Sequence, residues 1–306
     1  MHDGERFLSL LPLAERTRKP RSTGLTMVGD RGWPLTFIQG MLEAYGHAID
    51  IVKISAWHLH QPGSVVRRKV DMYKRFDVEV QIGGPVLEIA RAVGKAEETL
   101  RALRDDGFDS LEISSEAMPT QHAMDDDARF ADLAREYGFT LHGEVGKKFV
   151  EGDTTRVSAD TVNVAETVRQ MKGYLAAGCH KVYWEGHIIR RVLGDAGDRP
   201  EGAAQLVAVA DQVGAENIIF EVPFTYLPYA GKRALQAWLV YLFGPHVNSG
   251  NALIEELPEL EEIRGGTFPA FGAPHGDHPW MHSLVKGKGT PAERWWRGPD
   301  RLCRQT

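Results

Sequence analysis

The segment Leu141-His142-Gly143-Glu144-Val145-Gly146-Lys147-Lys148 decides the fold that we predict for this chain. Its apolar residues indicate a short buried strand, and its end brings together a carboxylate, a glycine and two ammonium groups. Charged residues at the exit of an apolar strand are typical of the carboxyl-terminal end of a barrel strand, where side chains from several strands meet. If other strands end in the same way, their polar residues should form one cluster.

Seven further apolar segments repeat this arrangement, and each is followed by a helical pattern, with a spacing of roughly thirty residues. The other predicted strands are 23–29, 50–54, 78–82, 110–113, 181–184, 217–220 and 246–248. The predicted helices are 33–47, 64–76, 94–106, 125–137, 159–177, 201–213, 232–243 and 254–264. Eight such units favour the α/β class and a (β/α)₈ TIM barrel. A doubly wound open sheet is the alternative, but Gly29-Asp30-Arg31-Gly32 lacks the GxGxxG pattern often found after its first strand.

Two segments flank the predicted barrel domain, which spans residues 23–265. Residues 1–22 are basic and contain prolines, which favours a flexible arm or an oligomer contact over an anion site. Residues 266–306 lack periodicity and are interpreted as a C-terminal extension, either a lid or an oligomer contact. Three histidines there have a spacing that invites a metal interpretation: His275, His278 and His282. Pro279 disfavours a regular helix at this point, and no acid or cysteine completes a familiar ligand pattern.

The composition excludes several classes of protein. A formal net charge of -6 over 306 residues argues against a nucleic-acid surface, which needs a dense basic face. The two cysteines, Cys179 and Cys303, form neither a disulfide framework nor a CxxC metal pattern, which suits a reducing compartment. The start of the chain is charged, and no apolar run approaches the ~20 residues of a membrane span. We therefore expect a cytoplasmic protein that binds neither nucleic acid nor membranes.

The predicted strand exits supply most of the candidate site residues. They carry a set of acids, lysines and one histidine: Asp30, Lys53, Glu112, Glu144, Lys147, Lys148, Glu185, His187 and Glu221. Carboxylates on four successive strands are more than folding needs, because buried charges are costly unless they are paired or bind a metal. The alternative is structural, with the acids neutralised by lysines and arginines inside the barrel rim.

A divalent metal site and a catalytic lysine are the chemistry that this set favours. Oxygen ligands from Glu144, Glu185 and Glu221, with Asp30 and Glu112 as further candidates, suit Mg²⁺ better than zinc. A lysine beside such an ion has its pKa lowered by the ion and raised by the carboxylates, so it can serve as an acid or base. The candidate catalytic residues are Lys147, Lys148, Lys53 and His187. Strand parity places Lys148 on the face of Glu144, but parity often fails at a strand end, so both lysines are kept.

Glycine-rich exits suggest where a small anionic substrate binds. The exit after the eighth predicted strand, Asn248-Ser249-Gly250-Asn251, occupies a position where barrels often bind phosphate. Further candidates for this role are Gly83, Gly84, Ser114 and Ser115. Each of these turns is also compatible with having no ligand. P-loop, nucleophile-elbow and HExxH motifs do not occur in the sequence.

A group of short motifs within residues 25–265 resembles the phosphosulfolactate synthase family. The motifs are Asp30-Arg31-Gly32, Asp50-Ile51-Val52-Lys53, Gly83-Gly84, Gly107-Phe108, Glu112-Ile113-Ser114, Glu144-Val145-Gly146-Lys147-Lys148, Glu185-Gly186, Ile218-Ile219-Phe220-Glu221-Val222-Pro223 and Phe243-Gly244-Pro245-His246-Val247-Asn248-Ser249-Gly250-Asn251. The chain departs from the family after Lys53, where a glycine-rich Phe-Gly-Trp-Gly is usual, and at His187, where an arginine is usual.

The resemblance implies a (β/α)₈ barrel that is usually oligomeric, with a trimer suggested. It implies Mg²⁺-dependent addition of sulfite to phosphoenolpyruvate, with a lysine matching Lys147 or Lys148 protonating C2. A related nucleophile or another substrate is an alternative, as is a non-catalytic barrel of the heat-stress type within the same family. An aldolase-like enzyme in which Lys53, Lys147 or Lys148 forms a Schiff base is a further alternative.

Overall fold

A closed barrel of eight parallel strands forms the centre of the protein. The computed structural model describes residues 16–114, 120–148, 151–194, 199–224 and 229–265. The barrel strands are β1 Thr26–Asp30, β2 Ile51–Ile54, β3 Glu79–Ile82, β4 Ser110–Ile113, β5 Thr140–Val145, β6 Lys181–Trp184, β7 Ile218–Glu221 and β8 Ser249–Leu253. β8 pairs with both β7 and β1, and this pairing closes the ring. The predicted (β/α)₈ TIM barrel is confirmed.

Helices surround the barrel and bury its outer face. They are α1 Leu35–Tyr45, α2 Gly63–Lys74, α3 Gly84–Ala92, α4 Ala96–Asp105, α5 Thr120–Glu136, α6 Val164–Ala176, α7 Gly186–Leu193, α8 Pro200–Val213, α9 Tyr229–Phe243 and α10 Leu257–Gly265. Two large apolar clusters fill the space between strands and helices. In one of them Phe220 of β7 stacks on Phe243 of α9, with ring centroids 4.6 Å apart. Most of the apolar core therefore lies outside the barrel, which leaves its interior for other residues.

The barrel interior has an apolar floor and a charged upper layer. The floor is a small cluster of buried residues: Leu25, Met27, Ile51, Tyr183 and Ile219. Because strand side chains alternate with period two, residues two positions further along point the same way. Lys53 follows Ile51 in this manner, and Glu221 follows Ile219. The charged residues thus lie directly above the floor, at the carboxyl-terminal end of the barrel.

The predicted boundary of the eighth strand was wrong. The segment 246–248 precedes the strand, and Ser249–Leu253 forms it, so residues 249–251 lie within β8 and not at its exit. Gly250 pairs with Glu221 of β7. The side chain of Asn248 accepts a hydrogen bond from the backbone N–H of Leu25 (3.0 Å) and donates to carbonyls at the start of β7. Asn248 therefore lies at the amino-terminal end of the barrel.

Helix boundaries differ from the prediction mainly after β3, β5 and β6. The helices α3 and α7 begin directly after their strands and were missed. The helix predicted over 159–177 starts at Val164, because residues Arg156–Ser158 and Thr161–Val162 form an antiparallel hairpin that continues the loop after β5. Asn163 caps α6, since its side chain accepts a hydrogen bond from the N–H of Glu166.

The described end of the N-terminal segment contacts the amino-terminal end of the barrel. Arg16 pairs with Glu261 at 2.9 Å, and Arg21 pairs with Asp50 at 3.2 Å. The predicted C-terminal extension, with its three histidines, and Ser115 lie outside the described residues. Among the helices that the structure describes, none combines the length and apolar character needed to span a membrane.

Candidate active site

Three carboxylates converge at the carboxyl-terminal end of the barrel. They are Glu144 on β5, Glu185 directly after β6 and Glu221 at the end of β7, and these strands are neighbours in the sheet. Each offers an oxygen, and these atoms all lie within 4.8 Å of one another. All three residues are buried. We call this group the carboxylate triad; its geometry matches the prediction that these strand exits meet.

Lys53 lies between two carboxylates at the side of the triad. Its Nζ is 2.8 Å from Oε1 of Glu221, and it also forms an ion pair with Glu112. The ammonium lies 4.6 Å from the centroid of the Tyr183 ring, which forms part of the floor. Burial opposes the charged form of Lys53, but Glu112 and Glu221 outweigh it and raise its pKa well above the usual value. A raised pKa favours the charged ammonium and so disfavours Lys53 as the Schiff-base lysine of the aldolase-like alternative, because a Schiff base requires a neutral amine.

Burial disfavours the charged forms of acids in the triad. It raises the pKa of Glu144 well above its usual value, and the neighbouring carboxylates add to this effect. Burial also raises the pKa of Glu221, although Lys53 acts in the opposite direction. A buried site whose candidate ligand atoms are all carboxylate oxygens fits a hard divalent ion.

Lys148 brings a second ammonium, besides that of Lys53, close to the triad. Its Nζ lies 4.0 Å from Oε1 of Glu185, and its charge lowers the pKa of Glu144 against the effect of burial. The turn that brings it there passes through Gly146 at φ +98, a conformation that favours glycine. This placement agrees with strand parity, which assigns Lys148 to the face of Glu144. The side chain is 41% exposed, so it lies at the mouth of the site.

His187 occupies the first turn of α7 beside the triad. Its backbone N–H donates a hydrogen bond of 3.0 Å to Oε2 of Glu185, which caps this helix. Burial lowers the pKa of the His187 imidazole to about 4, and the positive charges of Lys148 and Arg190 contribute. His187 is therefore neutral near pH 7 and can donate or accept a hydrogen bond without adding charge.

Comparison with known proteins connects this site to a family. The family model described as (2R)-phospho-3-sulfolactate synthase (ComA) matches residues 14–268. The chain belongs to the phosphosulfolactate synthase family. The phosphosulfolactate synthase of Methanothermobacter thermautotrophicus is 32% identical over 255 residues, which cover 82% of this chain and 92% of that protein. That of Methanocaldococcus jannaschii is 28% identical (79% and 91% covered), and that of Bacillus subtilis is 27% identical (84% and 95% covered).

In this member of the phosphosulfolactate synthase family, Asp30 belongs to a network of its own. Its carboxylate pairs with Lys69 at 3.0 Å, accepts a hydrogen bond from the Tyr73 hydroxyl at 3.2 Å, and lies 3.4 Å from Nε2 of His58. It also accepts the backbone N–H of Gly32 at 2.8 Å. Burial works against the charge, but the contacts with His58 and Lys69 outweigh it and lower the pKa of Asp30. Among the described residues, the triad and not Asp30 forms the group that could hold an ion.

Three predicted phosphate-binding residues of this family member lie at the start of α3 and after β4: Gly83, Gly84 and Ser114. The N–H of Gly84 donates a hydrogen bond of 2.9 Å to Oε1 of Glu112, so it supports the carboxylate that pairs with Lys53. A Cβ at this position would lie 2.1 Å from Oγ of Ser114, which shows how closely the backbone approaches β4. Ser114 itself donates to Glu88. Glycine is therefore required here for packing.

The predicted phosphate turn 248–251 is not a turn at the barrel mouth. Asn248 lies at the opposite end, and Ser249 starts β8. Gly250 faces the barrel interior, because a Cβ there would lie 2.9 Å from Ile219 and 3.1 Å from Cγ of Glu221. Asn251 has φ +55, and its buried Oδ1 has no hydrogen-bond partner among the described residues. Of these four residues, Gly250 lies beside the site, where the lack of a side chain lets β8 pack closely against Glu221 and Ile219.

Sequence reasoning missed the polar residues that surround Asp30: His58, Lys69 and Tyr73. The available signal was on α2, where Lys69 and Tyr73 are four residues apart and share the buried face with Val70. A lysine within an apolar helix face requires a partner, since burying an unpaired charge is costly. The reasoning also missed the ion pair of Asp153 and Arg156 in the loop after β5, where each side chain is almost fully buried.

Proposed function

We propose that this protein is a Mg²⁺-dependent phosphosulfolactate synthase that adds sulfite to phosphoenolpyruvate. Family membership supports this kind of enzyme, since the three relatives carry that name. The observation that carries the proposal is the buried carboxylate triad, whose oxygens lie within 4.8 Å of one another, with the ammonium of Lys148 4.0 Å from Glu185. A site of this kind suits a reaction in which an anionic substrate meets a divalent ion and gains one proton.

The triad residues Glu144, Glu185 and Glu221 would hold the ion. When bound there, a hard divalent ion supplies electrostatic stabilisation for the negative charge that develops on the substrate. Gly250 lets β8 pack closely against Glu221, because a side chain at this position would crowd that ligand. The apolar floor beneath closes the barrel interior from below.

Lys148 is the proposed proton donor. In the proposed addition, the sulfur lone pair of sulfite forms the new bond to the methylene carbon, the double bond of phosphoenolpyruvate opens, and C2 takes up one proton. Lys148 carries such a proton at the mouth of the site, and its partly exposed side chain can be reprotonated from solvent. Lys53 is unsuited to this role, because its raised pKa and its two carboxylate partners hold its proton.

His187 and Lys53 are proposed to assist without transferring a proton. The neutral imidazole of His187 lies beside Glu185 and can hydrogen-bond an oxygen of either substrate. The ammonium of Lys53 lies 2.8 Å from Oε1 of Glu221, and this ion pair fixes the position of the Glu221 carboxylate within the triad. Both contacts limit movement of the acids that would bind the ion.

The test is incubation of the purified protein with phosphoenolpyruvate, sulfite and MgCl₂, with mass spectrometry of the sulfonated adduct. Lys148→Ala is expected to reduce the rate by about 10²–10⁴-fold, the range of a general acid. The matched control is Lys147→Ala, which changes the adjacent lysine and should retain most of the activity. Equal losses in both variants would contradict the assignment of Lys148.

The remaining outcomes separate the alternatives. If no adduct forms but phosphoenolpyruvate and Mg²⁺ bind, as measured by calorimetry, the protein uses a different nucleophile. If neither binds, the family member is a non-catalytic barrel and the proposal is wrong.

A further inference from the structure

A buried ion pair in the loop after β5 holds the backbone next to Lys148. The carboxylate of Asp153 lies 2.8 Å from Nε of Arg156, and the two side chains are 2% and 1% exposed. Oδ2 of Asp153 accepts the backbone N–H of Lys147 at 3.1 Å. Nη2 of Arg156 donates a hydrogen bond to the backbone carbonyl of Lys147. The ion pair therefore binds both the backbone N–H and the backbone carbonyl of Lys147, the residue that directly precedes Lys148.

The pair is itself fixed by Thr155 and the start of α6. Oδ1 of Asp153 accepts hydrogen bonds from the backbone N–H and the hydroxyl of Thr155, at 2.9 and 2.6 Å. Asn163 is the N-terminal cap of α6, and its backbone N–H donates a hydrogen bond of 2.7 Å to the carbonyl of Thr155. The hydroxyl of Thr167 in α6 also donates to this carbonyl. The ion pair is therefore anchored to α6 through Thr155.

The segment that it holds follows a tight turn at the end of β5. β5 ends at Val145, and Gly146 turns the chain with φ +98. A Cβ on Gly146 would lie 2.1 Å from Cδ1 of Ile188, so this turn packs closely against α7. After the turn, the direction of the Lys148 side chain is set by the orientation of the Lys147 peptide groups. These are the groups that Asp153 and Arg156 hold.

We propose that the Asp153–Arg156 pair is a positioning pair, which sets the place of the Lys148 ammonium relative to Glu185. A buried ion pair adds little net stability over well-packed apolar residues, so its value here lies in fixing a geometry. Small displacements of a reacting group from its productive position reduce rates strongly. The inference rests on the proposed function, because it assigns the pair an effect on proton transfer by Lys148.

The test compares variants of the positioning pair in two backgrounds. Arg156→Gln and Asp153→Asn are each made in the wild type and in Lys148→Ala. In the wild type, kcat should fall by about 10–100-fold, while KM and the affinity for Mg²⁺ change by less than about twofold. In Lys148→Ala, the same changes should cause no further loss, because residues that act through one group are not additive. Equal fold losses in both backgrounds would show a merely structural role and overturn the proposal.

The matched control is Asp160→Asn, which removes an exposed ion pair in the same hairpin. Asp160 contacts Arg199 at 2.6 Å and is about half exposed, so its loss should leave kcat unchanged. Arg156→Lys serves if Arg156→Gln does not fold, because its single ammonium keeps the charge but cannot reproduce the planar fork that reaches both partners. It should show the same lack of additivity with Lys148→Ala.

A second readout does not require activity. The rate of acetylation of Lys148 by an N-hydroxysuccinimide ester, followed by peptide mass spectrometry, should change several-fold in the variants of the positioning pair but not in Asp160→Asn. If the wild type makes no adduct and this change is seen, the proposed function fails and the positioning role stands. The positioning role fails if the wild type forms adduct but the Asp153 and Arg156 variants behave like Asp160→Asn, both in their additivity with Lys148→Ala and in the rate of Lys148 acetylation. If adduct and acetylation change are both absent, both proposals fail.

Discussion

A Lys53→Met substitution is expected to destabilise the folded protein by about 3–5 kcal/mol at pH 8. Lys53 is the internal counter-ion of two buried acids, Glu112 and Glu221. Methionine has a similar length and fills the same space, but it leaves both carboxylates without a positive partner. The effect therefore measures the loss of charge compensation and not the formation of a cavity.

The magnitude follows from the contacts. At the 2.8 Å separation of Lys53 Nζ and Glu221 Oε1, a pair of unit charges attracts by about 6 kcal/mol with an effective dielectric constant of about 20. The cost of burying the ammonium, whose side chain is 7% exposed, opposes this attraction. Removing one member of a buried pair typically costs about 3–5 kcal/mol, and the second partner, Glu112, places Lys53 towards the upper end.

The loss should depend on pH in a defined direction. The pKa of Lys53 is raised above its unfolded value of 10.5, so its stabilising effect is fully present at pH 8 and is lost only above pH 10.5. Burial raises the pKa of Glu221 and Lys53 opposes this effect, so without Lys53 the pKa of Glu221 rises further in the folded state. Stability then falls as the pH rises from 5.5 to 8, so the deficit is smaller at pH 5.5 than at pH 8.

The assay is urea unfolding at both pH values, with and without Mg²⁺. The matched control is Lys232→Met, which breaks a buried pair with Glu256 in another part of the fold. Mg²⁺ should recover part of the stability of Lys53→Met, because it supplies positive charge next to Glu221, but it should not recover that of Lys232→Met. A loss below about 1 kcal/mol at pH 8, or one that does not change with pH, would refute the reasoning.

Three further predictions concern the same layer of the barrel. Glu144→Gln should raise the free energy of unfolding at pH 8 without Mg²⁺, because burial raises the pKa of Glu144 and its ionisation destabilises the folded state as the pH rises. In calorimetry, this variant should bind Mg²⁺ roughly tenfold or more weakly than the wild type, and unchanged binding would show that Glu144 is not a ligand. Gly250→Ala should destabilise by about 1–3 kcal/mol in urea unfolding, since its Cβ would lie 3.1 Å from Glu221, whereas Gly40→Ala, with open space around it, should not destabilise. His187→Gln should leave the shape of the pH–rate profile between pH 6 and 8 unchanged, because the pKa of His187 is already about 4; loss of an inflection in this range would contradict that value.

The triad could be predicted from the sequence because of where its members occur. Each of β5, β6 and β7 is a short apolar run closed by an acid, and the barrel brings neighbouring strand ends together. Lys53 was expected near these acids for the same reason. Its position between Glu112 and Glu221 could not be predicted, since their strands β2, β4 and β7 are not neighbours and the contact crosses the barrel interior.

β8 shows why other parts could not be read from the sequence. The segment 246–248, which was predicted as the strand, contains one apolar residue, Val247, and the actual strand, Ser249–Leu253, begins with serine, glycine and asparagine. It is a strand because Gly250 fits against Ile219 inside the barrel and Ala252 is buried in the outer core. Tertiary packing of this kind overrides local preference.

Asp30 illustrates a second limit. Its place at the end of β1 correctly suggested a position near the mouth of the barrel. Its partners, however, come from α2 and the loop after β2, and no local pattern pairs Asp30 with Lys69, which is 39 residues away. The sequence therefore indicates the end of the barrel on which an acid lies, but not whether that acid is already fully engaged.

The apolar floor has a consequence for the kinetics of the proposed reaction. Met27, Tyr183 and Ile219 have no exposed surface, so the described residues close the barrel beneath the carboxylates. In the proposed addition, both reactants and the product would pass through the carboxyl-terminal end of the barrel, and the reactant bound nearest the floor would have to enter before the other. We therefore expect a compulsory order of addition, in which the molecule that reaches the carboxylates enters first and the product departs before the next cycle begins.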